Sequence, residues 1–206
     1  MHSVIRNACV ILLLCCILPV TLLTGAAAAE STTLGAIRQH RLGFLGGLAT
    51  GILAHEMGHT ALAWSMGDEV VLHGTTIIYP GAQHDDRERI RLSSAGIQTQ
   101  WLVTEGAFLY RNSHRMTPAV DSFSAGLICS NLAITAAYAT IINNHKHGDL
   151  TGISKTTGAS NETLALAIAV PAVLDAWRLF GDDPPAWADY LSVGLKGSMI
   201  TAVWSY

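Results

Sequence analysis

The residues Ala54-His55-Glu56-Met57-Gly58-His59-Thr60 lie in the middle of an apolar, glycine-rich run at 42–66. Ionisable groups there are costly, because an imidazole or carboxylate taken out of water must be repaid by a polar partner. This stretch therefore constrains the chain more than any other. The run predicts a helix, and residues four apart on a helix share a face. His55 and His59 can then hold one zinc ion, and Glu56 can polarise a water bound to it.

Composition places this helix in an unusual setting. The chain of 206 residues is 50% hydrophobic and only 13% charged, with mean hydropathy +0.36. Soluble domains carry about twice that charge, so the deficit points to an all-α, multi-pass membrane protein in a lipid bilayer. The net charge of −3 leaves no polybasic surface for nucleic acid. Three of the four cysteines, Cys9, Cys15 and Cys16, fall in the first apolar run and Cys129 in another, which is neither a disulfide framework nor a cysteine zinc site.

Residues 1–29 combine Arg6, an apolar stretch at 8–23 and the small residues Gly25 to Ala29. This is either a secretory signal peptide or a first transmembrane helix, and both route the chain to export. Residues 30–206 form the membrane-embedded domain. Within it, 30–41 reads as a connector and 42–66 as the first main helix, stopped at Gly67-Asp68. Residues 70–79 suit a small β-hairpin about His73-Gly74, and 80–91 a polar loop. Further spans are expected at 92–110, 123–142, 163–180 (with Pro171 inside) and 187–204 (with Lys196 inside), separated by connectors at 111–122, 143–160 and 181–185. With the leader, this gives about four to six transmembrane helices. The loop charges set no clear orientation by the positive-inside rule.

Two histidines leave a catalytic zinc one protein ligand short, with a further position for water. Asp149, in His145-Lys146-His147-Gly148-Asp149-Leu150, leads the candidates, although an aspartate beside a glycine is also ordinary turn chemistry. His147 and His145 are alternatives. So is Glu105, which reads more simply as a polar contact between packed helices. Asn131 reads as an interhelical donor, Asp175 and Arg178 as a pair three apart on one helix, and Glu162 beside Ser160 as helix-start chemistry. Ser94, Ser124 and Ser130 lack the histidine and acid that serine hydrolysis needs.

The helix around His55-Glu56-Met57-Gly58-His59, followed by Gly67 and a β-rich stretch, resembles the site-2 protease class of intramembrane zinc metalloproteases. Ser94-Ala95-Gly96-Ile97-Gln98-Thr99-Gln100 is similar to that family's glycine-proline turn ending in asparagine, with Ile97 for the proline and Gln100 for the asparagine. The family's third zinc ligand is an aspartate about ninety residues after the histidines, and Asp149 stands at that distance. Here the order is Gly148-Asp149, without the family's preceding prolines. The match spans about 42–156. The resemblance implies a metalloendopeptidase of a bacterial inner membrane that cleaves membrane-associated proteins or peptides, with Glu56 as general base and His55, His59 and Asp149 on zinc. A catalytically silent relative that binds metal or partners, and an exported soluble zinc peptidase, are the alternatives.

Overall fold

The computed structural model describes residues 32–73, 76–114, 116–140 and 148–206. The leader at 1–29 and the loop histidines His145 and His147 lie outside the described residues. Seven helices and one two-stranded ribbon follow in order: α1 (Thr32–Gln39), α2 (Arg41–Met66), β1 (Val71–His73), β2 (Thr76–Ile78), α3 (Asp86–Ser113), α4 (Pro118–Thr140), α5 (Asp149–Thr157), α6 (Asn161–Phe180) and α7 (Ala186–Ser205). The strands are antiparallel, with Val71 opposite Ile78.

Local chemistry accounts for most boundaries. Gly67 ends α2 at φ 86°, a left-handed conformation that costs glycine little, and its N–H caps the last turn. Pro118 opens α4, where its fixed φ suits a first helical position. Three expectations fail. Residues 30–41 hold the helix α1 rather than a connector. The loop expected at 80–91 gives way at Asp86 to α3, because Asp85 and Glu88 form a reciprocal capping box: the Glu88 N–H donates to Asp85 at 2.8 Å and the Asp85 N–H to Glu88 at 3.2 Å. The loop expected at 143–160 contains α5. The stretch Ser94–Gln100, likened to a turn, is also helical throughout, since Ile97 keeps the N–H that a proline would lack.

The helix α2 lies against α3 and α4. Gly43, Gly47, Gly51, His55 and His59 recur every fourth residue and form one stripe along it. A Cβ on Gly47 would stand 2.0 Å from the Phe123 carbonyl oxygen, and one on Gly51 2.0 Å from Ser130 Oγ. The glycines thus bring α2 into backbone contact with α4, and the same stripe then carries the two histidines into the interior.

The interior holds two apolar clusters together with an unusual number of polar side chains, and large apolar side chains stand outside. Buried positions include His55, His59, Gln98, Gln100, Asn131, Asp175 and Lys196. The outward face of α2 carries Leu42 (84% exposed), Leu45, Leu53, Met57 and Trp64, while Leu102, Leu109, Leu166, Val173 and Tyr190 (78% exposed) continue the apolar exterior on other helices. Among the described residues, α4 and α6 are long and apolar enough to cross a membrane.

One buried charge cluster ties α3, α6 and α7 together. Lys196 Nζ donates to Glu105 at 2.5 Å and to Asp175 at 2.6 Å. Arg178 donates to both oxygens of Glu105, at 2.8 and 3.0 Å, to Asp175 at 2.9 Å, and to Asp189. Ser192 and Asn131 donate to Asp175 at 2.8 and 3.2 Å. Glu105 is therefore occupied by two cations, and Asn131 serves an interhelical bond.

Candidate metal centre

The fourfold spacing on α2 buries His55 and His59 side by side, with their Nε2 atoms 3.3 Å apart. Asp149 is the first residue of α5. Two contacts seat that turn against α3 and α4, which flank α2. Leu150 is buried in an apolar cluster with Ile97, Trp101 and Tyr138. Gly152 packs on α3 so closely that a Cβ there would stand 1.8 Å from Ser93 Oγ. Asp149 Oδ2 then lies 3.1 Å from each histidine Nε2. Of the aspartate, glutamate and histidine candidates for a third ligand, Asp149 is the described residue that meets the pair.

The tautomer of His59 follows from its other nitrogen. Nδ1 is 2.8 Å from the Leu92 carbonyl oxygen, which can only accept, so Nδ1 donates there and Nε2, directed at Asp149 and His55, is the atom left to carry a second proton for Asp149 or to bind a cation. His55 Nδ1 is buried and has no hydrogen-bond partner among the described residues. Gly96 forms the floor: a Cβ on it would stand 2.3 Å from His59 Nε2 and 2.6 Å from His55 Nε2.

Two imidazole nitrogens and one carboxylate oxygen are a zinc donor set, and their spacing can be tested against one. Bonds of ~2.0–2.1 Å directed to tetrahedral corners separate neighbouring ligand atoms by ~3.3 Å. The three edges here are 3.3, 3.1 and 3.1 Å. The residues fit the ion.

Glu56 is exposed, one position along α2 from the buried His55. Tyr79, after β2, is half-buried with its ring edge-on to His84, whose Nε2 is 2.8 Å from Asp68. Burial pushes the Tyr79 phenol up to about 12, and the carboxylates of Asp149, Glu56 and Asp68 push it the same way. Tyr79 is thus a neutral hydroxyl within the field of both acids of the centre.

Tyr138 and Gly96 are the residues that reading the sequence missed in this role. The Tyr138 hydroxyl donates to Asp149 Oδ2 and is 3.3 Å from His55 Nε2. The available signal was a single tyrosine in the apolar span, eleven residues before the aspartate. Ser94 and Ser130 bond to main-chain carbonyls and to Gln98 and Gln100, with no histidine beside them among these bonds. Compared with known proteins, the chain matches no protein-family model, no curated protein and no solved structure.

Proposed function

We propose that this chain is an intramembrane zinc metalloendopeptidase of the site-2 protease type, resident in a bacterial inner membrane and acting on membrane-associated proteins or peptides. The observation that carries the reading is the near-equilateral triangle of His55 Nε2, His59 Nε2 and Asp149 Oδ2, with His59 held in the ligating tautomer by Leu92. The many exposed Leu, Val, Trp and Tyr side chains, with His, Gln, Asp and Lys buried among the apolar core, support the bilayer setting, where polar groups must be satisfied internally. On this reading α2, α3 and α7 join α4 and α6 as spans.

His55, His59 and Asp149 hold the zinc. When bound, zinc acts as a Lewis acid toward water and the scissile carbonyl. Glu56, exposed beside the buried histidines, takes a proton from the attacking water as its oxygen adds to the carbonyl carbon. As the C–N bond breaks, Glu56 returns that proton to the leaving amine. Tyr79 stays protonated and keeps a hydroxyl donor on the same side as the two carboxylates.

The test is zinc content and cleavage measured together on detergent-purified protein with a panel of single-span peptides. Wild type is expected to hold one zinc and cleave; Glu56→Gln is expected to hold one zinc and not cleave. Cleavage that survives Glu56→Gln refutes the mechanism. Full zinc in His59→Ala refutes the centre. Zinc without cleavage in the wild type would favour the silent relative.

A further inference from the structure

Asp149 follows Tyr138 by eleven positions, and the Tyr138 side chain joins the end of α4 to the start of α5. Tyr138 is buried near the end of α4. Its ring packs in the cluster containing Leu150, the residue after Asp149. Its hydroxyl donates to Asp149 Oδ2, the same oxygen that lies 3.1 Å from both histidines, and is 3.3 Å from His55 Nε2. We propose that Tyr138 is a positioning residue for the metal centre: ring and hydroxyl together fix the first turn of α5 and aim the Asp149 carboxylate at the space between the histidines.

The physical case is one of orientation. An aspartate on a short helix has two side-chain torsions, and either oxygen can face a cation. A hydroxyl that donates to Oδ2 selects one rotamer before the ion arrives, so less freedom is lost on binding. The bond is part-buried beside an apolar cluster with Ile97 and Trp101, where it is stronger than at an open surface. Tyr138 donates to Asp149 and lies 3.3 Å from His55 Nε2, so the hydroxyl sits beside the Asp149–His55 edge of the triangle, where it braces the carboxylate.

The inference rests on the zinc reading, and one experiment separates the two. Zinc affinity is measured against a competing chelator for wild type, Tyr138→Phe, His59→Ala, and a protein carrying 4-aminophenylalanine at position 138, which keeps a donor on the ring. Cobalt(II) spectra and melting temperatures are recorded beside it. Tyr138→Phe retains every apolar contact of the ring. It is expected to weaken zinc binding about tenfold, shift the cobalt visible bands and leave the metal-free melting temperature within a few degrees. The amino variant is expected to regain most of the affinity. Wild-type affinity and spectrum in Tyr138→Phe, with His59→Ala depleted of zinc, overturn the role of Tyr138 and leave the centre standing. A Tyr138→Phe protein that fails to fold with or without metal also overturns it, since the hydroxyl would then serve the fold. Full zinc in His59→Ala removes the centre itself.

Discussion

The sharpest test of the centre is a single methyl group on its floor. In Gly96→Ala the new Cβ would lie 2.3 Å from His59 Nε2, 2.6 Å from His55 Nε2 and 2.7 Å from His55 Cδ2. Ordinary contact begins near 3.4 Å, so about 1.1 Å must be found between α3 and the histidine tips. Metal sites tolerate departures of about 0.2 Å from ideal bond lengths, so the required shift is several times what the triangle can absorb. The histidines cannot retreat freely either, because His59 is held by the Leu92 carbonyl at 2.8 Å and α2 by its glycine contacts with α4. Gly96→Ala is therefore expected to cost at least 100-fold in zinc affinity, with an overpacking penalty of about 1–3 kcal/mol in the metal-free protein. Gly106→Ala is the control: it lies on the same helix with nothing within 4 Å of its Cβ. There the substitution should raise stability by about 0.5–1 kcal/mol through helix propensity and leave zinc untouched. The assay is metal content at buffered free zinc, with melting temperature in the same detergent. Wild-type zinc affinity in Gly96→Ala would refute the placement of the ion against α3.

Other consequences are equally direct. Lys196→Met leaves Glu105 and Asp175 with Arg178 alone in a buried site, and such losses cost about 3–5 kcal/mol. The melting temperature should fall while zinc affinity holds; zinc lost in proportion to stability would mean the two polar centres are one unit. Chelator treatment should lower the wild-type melting temperature and zinc should restore it, whereas Asp149→Ala should show neither change. Carbonate-washed membranes should retain the protein; release into the wash would place the apolar exterior against protein rather than lipid.

Much of this arrangement was legible because it is local. The apolar run at 42–66 and the left-handed Gly67 after it define α2. Valines, isoleucines and threonines on either side of His73-Gly74 define the ribbon. The pair His55 and His59 needs only helical spacing. What stayed hidden is what depends on distant neighbours. The helices α1 and α5 are amphipathic but only 8 and 9 residues long, so their pattern repeats over too few turns to stand out in the sequence. Asp149 was singled out by its distance from the histidines, but the contacts that deliver it, Leu150 in an apolar cluster and Gly152 on Ser93, join α5 to helices far away in sequence. Gly96 looked like part of a turn, because a glycine read alone does not say whether it bends a chain or admits a neighbour. Lys196 was visible as a charge within a span, yet its partners lie 21 and 91 positions away.

The two buried polar centres differ in a way that bears on function. Around Asp175, both carboxylate oxygens are satisfied, and Lys196 and Arg178 each meet two or more acids. A cluster completed in this way holds helices together and asks for nothing further. Around Asp149 the balance is different. Three atoms able to bind a cation converge to within 3.1–3.3 Å, one imidazole is fixed by its Nδ1 bond to Leu92, and His55 Nδ1 has no partner among the described residues. Lone pairs gathered so closely repel unless a proton or cation sits among them: without metal a proton shared by His59 Nε2 and Asp149 meets that need, and a metal ion would take its place. The fold thus completes one polar centre with its own side chains, whereas in the other, three donor atoms converge that a shared proton or a bound zinc ion can bridge.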